Sequence, residues 1–333
     1  MKSVLRPTTP DDLPAVSEFL TRVFGVGPDA PFVQSAVMRW KYWGPRADYS
    51  APRAYVLERD GAITAHVGLW PIELNGIPGV HMIDWASAKE APGAGLLMVQ
   101  KLNAMFDFII AMGGSAMTRT ILPAYGFVEH TQQWKGARPI HPVRQVLTHQ
   151  HRNWKLIPRL GRNLMWSFGS AAPAGWIAEQ IAPGQVQDSA SLAPRSAEFF
   201  RYLMECPVAR VHFYQMREGS TPRGHFVLSV IRGQARLAGL WLRETKPEFA
   251  RAAYALAQAE GAKLEGANEF TAAGSGAVSE QAARESRLRL ADDMTPVFLL
   301  NKKKNLTLPP DFQFQPVEND GFFLDDGNYS YLT

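Results

Sequence analysis

The chain has 333 residues, enough for about two domains, and its 46% hydrophobic and 20% charged residues suit a protein with a buried core, which excludes a disordered chain. A formal charge of +4 is too small to call for nucleic acid or a membrane, and a lone cysteine, Cys206, excludes an intrachain disulfide and fits a reducing cytosol. The opening MKSVLRPTTPDDLPAV lacks a signal pattern and no run reaches the roughly 18 apolar residues of a spanning helix, so a cytoplasmic location without a transmembrane segment is expected.

In chain order, residues 4–6 read as a strand. Pro10-Asp11-Asp12 opens a helix with Leu13, Val16, Phe19, Leu20 and Val23 at helical spacing. A second helix is expected over 32–43, stopped by Gly44-Pro45. Residues 54–58 and 63–74 form a hairpin about Asp60-Gly61, and a further strand over 80–88 follows the turn at Asn75-Gly76. A glycine turn and a helix come next, then an apolar strand over 106–112, a short helix over 115–124 and a strand over 128–134. From 135 to about 187 prolines and glycines recur and basic residues run without an acidic one until Glu179, which predicts a long connection with some helix.

The pattern then restarts. Helices are expected over 194–204, 248–260 and 279–287, and strands over 211–215, 224–231, 235–242, 262–267 and 296–301. VLERDGAITAHVGLW at 56–70 and VLSVIRGQARLAGLW at 227–241 share their length, their first two residues and their Gly-Leu-Trp end. An aromatic helix precedes each, with Arg39-Trp40 in one and Arg201-Tyr202 in the other, so two similar folds are expected. The divisions are 1–135, a basic connection over 136–189, and 190–333.

The segment with chemical content is Glu90-Ala91-Pro92-Gly93-Ala94-Gly95, between a strand and a helix. A glycine turn opening a helix leaves N–H groups unpaired where the helix dipole favours negative charge, and glycine lets a phosphate approach the backbone. A dinucleotide-binding fold would put such a turn after the first strand of a parallel sheet. Here it follows an antiparallel meander, and Asp107 falls inside an apolar strand, so that reading fails.

The order of strand, helices, meander, glycine turn and helix resembles the GNAT (Gcn5-related N-acetyltransferase) family. The family signature Gln/Arg-x-x-Gly-x-Gly/Ala matches at Gly93 and Gly95 and departs at Glu90, and SAMTRTILPAYGF at 115–127 resembles its later helix with a Gly-Phe end. The resemblance implies two tandem α/β (α+β) folds of the GNAT type, each a mixed, mostly antiparallel sheet flanked by helices. It covers 4–134 at the level of element order and about 190–301 more loosely, and the second copy has no glycine turn. It implies an acyl-CoA-dependent N-acyltransferase that moves an acetyl or longer acyl group from acetyl-CoA or another acyl-CoA to a small-molecule amine. Trp85, Ala86, Gly93, Ala94, Gly95 and Leu96 would hold the cofactor in the first copy, with the Ala86 amide polarising the thioester carbonyl. Asp84 is the candidate base. Tyr125 is the candidate acid, because the family's usual tyrosine position holds Leu122.

Two other readings stay open: a catalytically silent tandem fold that binds a ligand or partner, and a Fem-type aminoacyl transferase using charged tRNA, to which the mild charge gives little support. His141, His149 and His151 lack acidic or thiol partners and make a poor metal site, so no metal is expected. Cys206 reads as a buried small residue. The basic stretch 135–162 with Trp154 and Trp166 reads as a solvated connection against the second domain, or as a contact to a membrane surface or an anionic substrate, and Trp40, Tyr42 and Trp43 as core or acceptor cleft.

Overall fold

A computed structural model describes residues 3–149, 154–168, 172–186, 195–301, 306–309, 312–324 and 331–333. After β1 (Val4–Pro7), α1 (Leu13–Phe24) buries Leu13, Val16, Phe19 and Leu20, and Gly25 ends it in the left-handed region at φ 66°. The helix expected over 32–43 is broken into a 3-10 turn, α2 (Ser35–Met38) and a π turn at Arg39–Trp43. In the π turn three successive large side chains, Trp40, Lys41 and Tyr42, are buried.

The meander is β2 (Ala54–Arg59), β3 (Ala62–Leu74) and β4 (Ile77–Ser87); α3 (Ala94–Met105), β5 (Phe108–Met112), α4 (Ala116–Ile121) and β6 (Val128–Pro139) follow. The expected connection contains α5 (Pro142–Leu147), α6 (Leu156–Ser167) and an unforeseen edge strand, β7 (Trp176–Ile181). The second half runs α7 (Ala197–Met204), β8 (Arg210–Glu218), β9 (Thr221–Ile231), β10 (Gln234–Leu242), α8 (Pro247–Lys263), β11 (Glu269–Ser275), α9 (Ala277–Glu285), β12 (Arg289–Leu290) and β13 (Thr295–Asn301). The strand expected over 262–267 lies later: the alanine-rich helix continues to Lys263, Gly266 turns the chain at φ 80°, and β11 starts at Glu269.

Among the described residues the strands form one sheet in the order β1-β2-β3-β4-β5-β13-β6-β11-β10-β9-β8-β7, with β12 beside β6. Its parallel contacts are β4 with β5 and β10 with β11; the other pairings are antiparallel. Each half thus carries a meander, a helix and a parallel strand, the order expected of two similar folds. They are joined by exchange, since β13 of the second half pairs with β5 and β6 of the first half pairs with β11. The boundary expected at 135 falls inside β6.

The parallel pairs equate β4 with β10, and therefore β2–β3 with β8–β9. The sequence echo of 56–70 with 227–241 matches β2–β3 to β9–β10, one strand out of register. The duplication is real in topology, and that echo does not record it. A core between the halves gathers Trp40, Trp70, Tyr202, Phe322 and Phe323, each aromatic contributing about 1.5–3 kcal/mol through burial.

Candidate functional site

In the first half, β4 and β5 are paired over Val80–Met82 and Ile109–Ala111 and part beyond. A register shift lies just past that point: Gly68 faces Ile83 and His66 faces Ala86, so Asp84 and Trp85 together oppose Val67. Asp84 takes a left-handed conformation, φ 48°, to make this bulge. The turn before α3 is built as its sequence suggests. Gly93 is left-handed at φ 82°, and the Ala94 N–H turns back onto Ala91 O at 3.0 Å. Among the described residues the amides of Gly93, Gly95 and Leu96 have no partner, which leaves three N–H groups at a helix N-terminus.

Side chains on β4 reach this turn. A Cβ on Gly95 would lie 3.2 Å from Ser87 Oγ and 3.4 Å from Trp85 Cζ2, so α3 packs closely on β4 at this glycine and a larger residue would press on both side chains. The Trp85 indole Nε1 is buried without a hydrogen-bond partner among the described residues. Ala86 is turned away. Ala88 N–H donates to Thr64 O at 2.9 Å, and ladder alternation puts the Ala86 amide on the same, β3-facing side, leaving that of Ser87 toward the gap.

Asp84 is engaged. Its Oδ2 accepts from Lys41 Nζ at 2.5 Å and Tyr42 OH at 2.7 Å, and Lys41 is fully buried. Burial alone would raise the Asp84 carboxyl, but the Lys41 charge and both hydrogen bonds hold it below the usual carboxylate range. Burial, helped by the Asp84 charge, pushes the Tyr42 hydroxyl well up. Burial also keeps His66 neutral, lowered to about 4, with Nδ1 3.1 Å from Asp84 O. The expected base is thus the anion of a buried ion pair. Tyr125 lies in the 3-10 turn Leu122–Tyr125, ended by left-handed Gly126, and packs on the core that includes Ala86 and Ala94. Leu122 is buried in that core.

In the second half, β10 and β11 pair over Gln234–Arg236 and Glu269–Thr271, then part, and a bulge at Ala238 follows. A cavity of about 320 Å³ opens there, lined by Gly239, Leu240, Trp241, Tyr254, Ser275 and Ser279 among others. His225 and Trp241 also line it and stack with ring centroids 4.8 Å apart. Both are buried, and neither His225 Nε2 nor Trp241 Nε1 has a hydrogen-bond partner among the described residues. Burial lowers His225 to about 4, so its ring is neutral. The loop from β10 to α8 offers no glycine turn: Arg243 N–H is bonded to Arg223 O, Lys246 N–H to Glu244 O, and the helix starts with Pro247.

The C-terminal segment crosses this gap. Gln315 brackets Leu240, donating from Nε2 to Leu240 O at 2.8 Å and accepting from the Leu240 N–H, while Gln313 donates to Ser275 O at 2.5 Å on the opposite lip. Phe312 and Phe314 face the other way, into the core with Ile110 and Leu299. The alternation Phe-Gln-Phe-Gln at 312–315 is a period-2 signal that could have been read as an extended, half-buried segment. Lys41 and the His225–Trp241 pair carried no such signal, because the contacts that define them are between distant elements.

The remaining candidates have structural partners. Cys206 is buried and its thiol pushed up to about 11 by burial; His141 Nε2 is 2.8 Å from Ala262 O and His149 Nε2 is 2.8 Å from Arg159 Nη1, while Gln150 and His151 lie outside the described residues. No group of three metal-ligating side chains occurs among the described residues. Trp40 lies between the halves, and Trp43 Nε1 donates to Thr8 Oγ1 at 3.1 Å.

No protein-family model and no curated protein sequence matches the chain. Among solved structures it is similar to a tandem GNAT protein from the clavulanic acid biosynthesis pathway, 11% identical over 91% of this chain and 100% of that one, TM-score 0.56. It is also similar to a GCN5-related N-acetyltransferase from Sphaerobacter thermophilus, 12% identical over 92% of this chain and 98% of that one, TM-score 0.54. A third is Saccharomyces cerevisiae N-myristoyltransferase with bound myristoyl-CoA and inhibitors, 11% identical over 90% of this chain and 80% of that one, TM-score 0.56. At these identities the likeness is one of fold, and the chain carries the GNAT fold twice, in tandem.

Proposed function

We propose that this protein is an acyl-CoA-dependent N-acyltransferase that binds its donor on the first half and its amine acceptor toward the second. The observation that supports this most directly is the set of unpartnered amides at Gly93, Gly95 and Leu96 beside a parted parallel strand pair. A diphosphate group fits that chemistry, and the orphaned Trp85 Nε1 is a further donor beside it. Bound there, acyl-CoA would supply a thioester whose carbonyl carbon an amine can attack, forming a C–N bond as the C–S bond breaks, the nitrogen giving up a proton and CoA leaving as the thiol. The chain would orient the donor through these amides and exclude water with the β4 and α3 side chains. The cavity lined by His225 and Trp241 suits an acceptor with an apolar body and a few polar groups.

Calorimetric titration with CoA tests this reading. Gly93 has open space where a Cβ would stand, and aspartate is one of the few side chains that visit its left-handed backbone, at some cost in strain. Gly93→Asp would place a competing carboxylate on the same amides while favouring the helix N-terminus. The expected result is CoA binding weakened by about tenfold or more at an unchanged fold. Absence of binding to the unaltered protein at millimolar CoA would end the reading.

A second reading, a tandem fold that binds a ligand without transferring an acyl group, draws support from the engagement of Asp84 by Lys41 and Tyr42. CoA binding without thiol release over a panel of amines would favour it.

A further inference from the structure

Helix α6 wears its faces the wrong way round for a helix on a water-soluble surface. Its polar residues turn inward. Asn163, 0% exposed, donates to Gln145 Oε1 at 2.8 Å, and Arg159 reaches Tyr331 O at 2.6 Å and Thr333 O at 2.5 Å. Its apolar residues turn outward: Ile157 is 77% and Met165 73% exposed, with Trp154 at 74% and Phe168 at 68% just beyond the two ends. Positions 154, 157, 161, 165 and 168 recur at intervals of three and four, so they form one stripe along the helix. On α5, tied to α6 by the Gln145–Asn163 bond, Val143 and Leu147 are also exposed. A continuous apolar surface of this kind marks an interaction site.

The charges beside the stripe indicate what covers it. Lys155, Arg159, Arg162 and Arg289 line a shallow notch of about 450 Å³ next to it. The sequence from 135 to 178 holds no aspartate or glutamate. A second copy docked by its own α6 face about a twofold axis would bring these cations against themselves. A stripe of tryptophan, phenylalanine and aliphatic side chains edged by lysine and arginine is the pattern that lies in the plane of an anionic bilayer surface. No helix among the described residues is long and apolar enough to cross a membrane.

We propose that α5 and α6 form a docking surface for anionic phospholipid membranes, in which Trp154, Ile157, Met165 and Phe168 enter the interface and Lys155, Arg162 and Arg289 meet lipid phosphates. The protein would then carry out its chemistry at a membrane face, next to acceptors or donors held in the lipid.

Co-sedimentation of the full chain with vesicles tests the proposal, using phosphatidylcholine alone and phosphatidylcholine with about 30 mol% phosphatidylglycerol. The expected result is binding to the anionic vesicles about tenfold or more tighter than to neutral ones, weakened by salt, with a blue shift of tryptophan emission. Ile157→Glu/Met165→Glu should abolish it without lowering the melting temperature, because both side chains are solvent-facing. Lys155→Glu/Arg289→Glu should remove the preference for anionic lipid. Absence of vesicle binding overturns the proposal. So does unchanged binding in the stripe variant, or a concentration-dependent dimer of the unaltered protein that Ile157→Glu converts to monomer.

Discussion

Trp40 and Tyr202 stack face to face at 4.8 Å, 11° from parallel, and each donates to the other's main-chain carbonyl: Trp40 Nε1 to Tyr202 O at 3.1 Å, and Tyr202 OH to Trp40 O at 3.0 Å. They occupy corresponding places in the two copies, each in the helical segment before a meander. The interface between the halves is therefore centred on a pair of equivalent residues in a near-symmetric embrace. Tyr202 OH also accepts from Arg53 Nη1 at 2.7 Å.

Tyr202→Phe keeps the stack and removes the hydroxyl, leaving Trp40 O and Arg53 Nη1 without that partner. Leaving buried polar groups unpaired costs about 1–3 kcal/mol, whereas Trp40→Ala, which also opens a cavity, should cost roughly 3–5 kcal/mol. Urea denaturation of both variants checks the order. Equal losses would show that the hydroxyl carries the interface and the ring does not.

Lys41→Met should be among the most damaging single changes in the first half, because it strands the Asp84 carboxylate in the interior. Breaking one side of a buried pair costs about 3–5 kcal/mol, and Lys41→Met/Asp84→Asn should recover much of that. Thermal melts of the two variants decide. A double variant no more stable than Lys41→Met would mean that the methionine does not fit, and that charge is not the issue.

Glu318 predicts a stability slope with pH. Burial pushes its carboxyl from 4.5 up to about 7, only partly opposed by Arg195, 3.8 Å away. With the folded value raised, the unfolded chain loses its proton first as pH rises. The Glu318 contribution to stability is therefore greatest below about 4.5 and declines toward pH 7, by roughly 3 kcal/mol over the window. Asp320, also raised to about 7 by burial, acts in the same direction, whereas the buried neutral His66, His81 and His225, each lowered to about 4, contribute stability that rises with pH toward 6.5. Asp84 acts oppositely to Glu318 and at lower pH: its depressed carboxyl contributes stability that is lost as pH falls below the ordinary aspartate range. Relative to the unaltered protein, Glu318→Gln should make stability rise more, or fall less, between pH 5 and 7, read by denaturation at several pH values about half a unit apart. A pH dependence unchanged by Glu318→Gln would mean that its carboxyl is not raised in the folded protein.

Gln315 shields the Leu240 amide in place of a neighbouring strand. Gln315→Ala should raise the hydrogen-exchange rate of Leu240 and lower stability by about 1–3 kcal/mol, leaving exchange in β2 and β3 unaffected. Unchanged protection at Leu240 would mean that the gap between β10 and β11 closes by itself.

Much of the architecture could be read from local pattern. The helical spacing of Leu13, Val16, Phe19 and Leu20 and the turns at Asp60-Gly61 and Asn75-Gly76 placed α1 and the first meander to within a few residues. The glycines at 93 and 95 marked a helix start whose amides are open, because turn chemistry is written in neighbouring residues. What depends on distant partners was hidden. The segments at 128–134 and 296–301 were expected as strands, but nothing in them says that they trade places. The pairing of Lys41 with Asp84 needed a π turn that helix periodicity does not reveal. For α6, the spacing of Ile157 and Met165 shows a helix with two faces. Only the burial of Asn163 tells which one looks inward.

The traded strands also constrain how the protein comes into being. While the ribosome is still producing the second half, β5 has an open edge, since its neighbour β13 is made only after the second meander and its helices. The nascent first half must therefore wait, with an apolar strand unsealed, until β13 has been made. Such late, non-local pairing makes for slow maturation and a chaperone-dependent window, and a gene fragment cut after β6 would encode a sticky product in place of an independent unit.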